Sequence, residues 1–189
     1  MVDLISVSED KEPYVKRLTD DKVINLTGQS GSVKSTYARN YLNGEEFVVI
    51  DTDILMRAEK VDGLYSKIRA YLKQKYPDKD IDLSENFDEI YEVILECLKD
   101  LDKTIVIDCA QFHCIRDIYA LRGTVIVMRT SIDNCYNRCI ERYKKNHPDC
   151  SEIELERYKE RKKKIYDWVQ GSNEFLKRID ALEVEKEDR

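Results

Sequence analysis

Gly28-Gln29-Ser30-Gly31-Ser32-Val33-Lys34-Ser35, followed by Thr36, puts two glycines, three serines and a lysine into eight consecutive residues. This is a composition for holding phosphate. Glycines let the backbone curl until successive N–H groups point at one anion, and a helix starting there adds the positive end of its dipole. Lys34 is placed to reach β- and γ-phosphates, and the Ser35 hydroxyl to ligate Mg²⁺. One position departs from the phosphate-loop pattern GxxxxGK[ST], because Val33 stands where glycine is expected before the lysine. A β-branched side chain there adds bulk and restricts the backbone torsions, so weakened nucleotide binding is expected. Every other position fits, which reads as a single change in an otherwise intact site.

Carboxylates form the second group. Asp51 and Asp53 follow an apolar run, and Asp108 closes another. At the carboxyl ends of parallel strands all three would face the crevice that also receives the phosphate loop. One carboxylate can take the proton of an attacking hydroxyl while another helps to hold hydrated Mg²⁺. Ser35, Asp53 and Asp108 are the candidate Mg²⁺ ligands, Asp53 doubling as the candidate catalytic carboxylate. A plainer role for the pair is to cap the helix that begins near Ile54. Asp51, Asp53, Arg57 and Gln111 are the candidate residues for binding an acceptor, with His113 as a neighbour that has a structural explanation of its own.

Arg138 and Arg142, spaced i, i+4, can reach one point and neutralise the charge of a phosphoryl group in transit. The polar segment after them is suited to close as a lid. Arg157 and Arg161 repeat the spacing, within a run that reads as a solvated helix face. Cys135, Cys139, His147 and Cys150 could be drawn as a zinc set, but the first two fall on an apolar helix side and the usual C-x2-C pair is missing.

The elements that must position these groups are legible as periodicities. Val23–Thr27, Phe47–Ile50, Thr104–Ile107 and Thr124–Met128 read as four parallel strands covered on both faces. Helices are expected after the phosphate loop, with Asn43-Gly44 as its stop, over Leu64–Leu72 and over Phe87–Leu101. Ser131 caps a helix to about Tyr143, and Ser151-Glu-Ile-Glu154 is a capping box opening a charged helix to about Val169. Phe175–Leu182 fits either strand or helix.

Length and composition set the bounds. The 189 residues suit one domain, with residues 1–22 as an N-terminal flank, about 60–102 as a helical insertion and about 138–157 as a lid. With 42% hydrophobic and 37% charged residues the chain is expected to fold in solution. A net charge of -6 offers no global field for duplex nucleic acid. The start carries no leader pattern and no apolar run is long enough to span a bilayer, so a cytoplasmic protein with reduced thiols and no membrane partner is expected.

Taken together, TGQSGSVKST, VVIDTD, TIVIDC and TVIVMRTSIDNCYNRCIER resemble the small P-loop kinases related to adenylate, shikimate and gluconate kinases and to chloramphenicol phosphotransferase, over about residues 23–170. The resemblance implies an α/β three-layer sandwich with a mostly parallel central sheet and a helical lid. It also implies ATP and Mg²⁺ as cofactors, and phosphate, acceptor or lid roles for Lys34, Ser35, Asp53, Arg138 and Arg142. No glycine-rich acceptor motif of the shikimate kinase kind follows Asp108. Transfer of the γ-phosphate to a hydroxyl of a small molecule is the expected activity. The alternatives are a kinase of nucleotides or nucleic-acid 5′ ends, and a non-catalytic nucleotide sensor or scaffold.

Overall fold

The computed structural model describes residues 11–57, 63–163 and 174–182. It is an α/β structure whose strands β1 (Lys11–Arg17), β2 (Val23–Thr27), β3 (Phe47–Asp51), β4 (Thr104–Asp108) and β5 (Thr124–Arg129) form one mostly parallel sheet in the order β1-β5-β2-β4-β3. The helices are α1 (Lys34–Tyr41), α2 (Thr52–Met56), α3 (Leu64–Lys75), α4 (Phe87–Leu98), α5 (Ile132–Asn146) and α6 (Glu152–Lys162). Residues 174–182 are also helical, which settles the ambiguity over Phe175–Leu182.

β2, β4 and β3 are parallel neighbours, and their registers pair Leu26 with Asp108 and Asp51 with Asp108. The three strands therefore end level with one another. Leu26, Ile50 and Val106 in these strands, and Val125 in β5, are buried completely, while Phe47, Val48 and Val49 of the edge strand β3 are half-buried.

Two expectations need correction. The stretch 1–22 is not simply a flank, since β1 lies within it. Its Pro13 has no N–H for a ladder and is tolerated because β1 is the edge strand. The periodic run from Phe87 ends at Leu98 rather than at Leu101, which is 42% exposed beyond the helix. The capping signals hold: Ser131 accepts from the Asn134 N–H, and Ser151 and Glu154 form a reciprocal capping box. The expected end of α6 near Val169 lies outside the described residues.

By contacts the chain falls into two compact units interleaved in sequence. One comprises residues 1–14, 28–34 and 127–189, and the other 15–27 and 35–126. In the first, the loop from Gly28 to Val33 packs on α5, and α6 is held to α5 by Tyr143 stacked on Tyr158 at 4.0 Å. In the second, α4 buries Phe87, Ile90, Tyr91, Val93, Ile94 and Leu98, with Phe87 edge-on to Phe112 at 5.1 Å. Among the described residues no helix is long and apolar enough to cross a membrane.

Candidate functional site

The loop from Gly28 leaves β2 and enters α1 at Lys34, the strand–loop–helix context that the phosphate-loop pattern requires. Gly28 and Gly31 take φ values of +149° and +85°. Neither has room for a side chain. A Cβ on Gly31 would stand 2.4 Å from the Cys135 carbonyl oxygen, and one on Gly28 2.8 Å from the Met128 Cβ. The loop therefore approaches α5 and the end of β5 at backbone distance, which only glycine permits.

Val33 has φ +65°, the left-handed conformation that glycine adopts freely and a β-branched residue does not. The chain keeps the turn and carries the strain, of order 1–2 kcal/mol, while the isopropyl group stands 40% exposed. The side chain has not unwound the loop.

Arg138 and Arg142 both turn toward the loop. Arg138 donates from Nη1 to the Gly31 carbonyl at 3.3 Å, and Arg142 from Nη2 to the Ser30 Oγ at 3.3 Å. The i, i+4 spacing thus brings both guanidinium groups to adjacent loop residues. Cys139 lies between them on α5, with its Sγ 3.4 Å from the Ser30 Oγ. Thr130 donates its hydroxyl to the Ser32 carbonyl at 3.1 Å. Two loop side chains are buried yet lack hydrogen-bond partners among the described residues: Gln29 through Oε1 and Ser32 through Oγ. A buried polar atom left unsatisfied costs about 1–3 kcal/mol. The Ser32 hydroxyl, which can donate, the glycine curl and the two arginines suit the loop to a polyanion, whereas Gln29 Oε1 is an acceptor and calls for an N–H or a cation.

The second unit carries the carboxylates. Ser35, Arg39, Asp51 and Asp108 line one cavity of about 240 Å³ whose apolar wall includes Ala38, Leu42 and Val49. A hydroxyl and two carboxylates are the hard oxygen donors Mg²⁺ prefers, so the residues present fit that ion. Asp51 also caps α2, its Oδ1 accepting from the N–H groups of Asp53 at 2.9 Å and Ile54 at 3.2 Å. The capping and cavity roles therefore coexist in one carboxylate. Asp53 is exposed in the first turn of α2 and is not among the cavity-lining residues. Arg57 is exposed at the C-cap of α2. Gln111 is half-buried after β4, where its Oε1 accepts from the Cys109 thiol at 3.4 Å. His113 follows in a short 3-10 turn, and partial burial pushes its imidazole below the ordinary range despite a backbone hydrogen bond with Ala110. Thr36 is exposed on α1.

Sequence reasoning missed Arg39 and Tyr65. Arg39 lines the cavity one helical turn beyond Ser35, whose carbonyl accepts its Nε–H at 3.3 Å. Tyr65, from α3, accepts the Asp51 N–H on its phenol oxygen at 3.1 Å. Burial pushes the Tyr65 phenol up, the Asp51 N–H opposes this, and the charges of Asp51 and Asp108 add to it, so the group stays protonated. The i, i+4 rule signals Arg39 once Ser35 is chosen. No local pattern signals Tyr65, which reaches Asp51 only because α3 packs beside α2. The four zinc candidates separate in character: Cys135 and Cys139 are buried on α5, while His147 is exposed and stacks on Tyr143 at 4.4 Å. Compared with known proteins, the chain matches no family model and no curated sequence.

Proposed function

We propose that the protein is an ATP-dependent phosphotransferase of the P-loop kinase type, which moves the γ-phosphate of ATP to a hydroxyl of a small molecule. The observation that carries this reading is the cavity in which Ser35, directly after the phosphate-loop lysine, meets the strand-end carboxylates Asp51 and Asp108. A hydroxyl beside two carboxylates suits Mg²⁺, and a carboxylate there also suits a proton acceptor.

In the reaction the acceptor oxygen bonds to the γ-phosphorus, the bond to the bridging β–γ oxygen breaks, and ADP leaves with that electron pair. The hydroxyl proton goes to a carboxylate. Asp51 is the better placed for this because it lines the cavity, whereas Asp53 stands exposed. Ser35 and Asp108 would hold Mg²⁺, which supplies charge neutralisation on the phosphates. Within the first unit, Lys34, Arg138 and Arg142 bring positive charge to the loop proposed to hold the ATP phosphates.

Val33 favours one second reading. Val33 strains the loop and puts a branched side chain where glycine would let phosphate approach, an arrangement that a nucleotide sensor or scaffold tolerates. Calorimetric titration with Mg·ATP, followed by ADP release over a panel of alcohols, sugars and nucleotides, separates the two. Binding with acceptor-dependent ADP release supports the phosphotransferase, and binding without turnover on any acceptor supports the sensor.

A further inference from the structure

α2 and α3 run side by side in the same direction. Tyr65 meets the Asp51 N–H, and four residues on in both segments Arg69 donates from Nε to the Leu55 carbonyl. Tyr65, Arg69 and Lys73 fall at i, i+4 and i+8, on one face of α3. α2 ends at Met56, one residue beyond Leu55, and a cavity of about 300 Å³ is lined by this end of the pair and the loop that follows α3.

The lining is of two kinds. Leu55, Met56, Leu72 and Ile81 make it apolar, and Arg69, Lys73 and Lys79 bring three cations to it, beside the Tyr76 ring. Lys79 is 3.1 Å from Glu89 and lies over the Tyr76 ring at 5.3 Å. α3 as a whole carries Lys67, Arg69, Lys73 and Lys75 and no acidic residue, in a chain whose net charge is -6. An apolar cavity lined by Lys73 and Arg69, with Lys79 paired to Glu89, is the complement of a small anion on an apolar or aromatic body.

We infer that this cavity binds an anionic small molecule, carrying a phosphate or carboxylate group on an apolar or aromatic body. The anion lies at Arg69 and Lys73 and the body against Leu55, Met56 and Ile81. At 1.5 Å per residue, Lys73 stands about 12 Å along α3 from Tyr65 and so from the Asp51 end of the helix pair. Asp51 itself lines the other cavity, with Ser35 and Asp108. That the occupant is the phosphoryl acceptor rests on the phosphotransferase reading; the binding site stands on its own geometry.

The test uses the full chain with carbon-13-labelled methyl groups and four probes: phenyl phosphate, benzoate, inorganic phosphate and benzyl alcohol. Phenyl phosphate or benzoate is expected to shift the Met56 and Ile81 methyl resonances saturably, and benzyl alcohol to bind more weakly by about tenfold or more. Whichever anion binds more tightly identifies the headgroup. Inorganic phosphate, lacking a body, should bind more weakly than phenyl phosphate. Lys73→Glu is expected to weaken the better anion by about tenfold or more, and Lys73→Gln by a smaller factor in the same direction. No saturable shift at Met56 and Ile81 with either anion overturns the proposal, as does equal affinity for benzyl alcohol or undiminished affinity in both Lys73 variants. Titrating the same proteins with Mg·ATP keeps the two ideas apart. ATP binding with unresponsive methyl groups overturns the anion site alone, and responsive methyl groups with no ATP binding overturn the phosphotransferase reading alone.

Discussion

Asp51 and Asp108 are register partners at the carboxyl ends of the adjacent parallel strands β3 and β4, and both line the cavity that contains Ser35. Neighbouring strands run about 4.8 Å apart, so the two carboxylates share one small volume without being bonded neighbours in sequence. Like charges at that separation repel unless a cation or a proton intervenes, which suits them to Mg²⁺ and proton transfer together.

Asp51→Asn is expected to lower phosphoryl transfer by about 10²-fold or more, while Asp53→Asn lowers it by less than about threefold. Asparagine still caps a helix, so the Asp51 variant removes charge from the cavity without losing the N-cap of α2. Steady-state rates of both variants at saturating ATP check this. A larger loss from Asp53→Asn would return the catalytic role to the exposed residue.

Val33→Gly is expected to stabilise the fold by about 1 kcal/mol, because glycine adopts the +65° φ without strain although it gives the unfolded chain more freedom. For a chain of this size that is about 2–4 °C in the melting midpoint. The same change is expected to tighten Mg·ATP binding by about tenfold. Thermal denaturation and calorimetry of parent and variant read the two effects separately. An unchanged midpoint would mean that the loop does not hold Val33 in the left-handed region in solution.

Lys34→Ala is expected to abolish the ATP binding that remains. Arg142→Ala, which removes a group contacting Ser30 from the exposed side of α5, should lower turnover by about 10-fold to 100-fold with a smaller change in ATP affinity. Equal ATP affinity in parent and Lys34→Ala proteins would remove the phosphate-loop assignment.

Asp88 gives a pH dependence that is independent of the site. Partial burial raises its carboxyl, but the N–H groups of Asp117 and Arg116 and the Arg116 guanidinium outweigh this and hold it below its ordinary 3.8. A group depressed on folding contributes stability above its unfolded value and loses it as pH falls through the folded one. Asp88→Asn is therefore expected to cost about 1–2 kcal/mol at pH 7, with the gap to the parent closing in strong acid below that ordinary value. Denaturant titrations at neutral and acid pH check the sign. A gap that widens on acidification would contradict it.

The sequence by itself determined what depends on neighbours in the chain. The strand Thr104–Asp108 follows from the apolar run Ile105–Ile107 and Val23–Thr27 from a mainly apolar one interrupted by Asn25, the Ser131 and Ser151 caps from side chains that bond three residues on, and the loop from its glycines. The pairing of Arg138 with Arg142 is likewise set by one turn of helix. Tertiary structure alone decided what depends on packing between distant segments. β1 reads as polar and carries a proline, and becomes a strand by holding the sheet edge. Asp51 and Asp53 are indistinguishable as letters. The register of β3 on β4 puts Asp51 beside Asp108, and the first turn of α2 leaves Asp53 outside. Tyr65, Arg69 and Lys73 gain a role only because α3 lies along α2, a relation carried by hydrogen bonds across fourteen residues that no periodicity within either helix encodes.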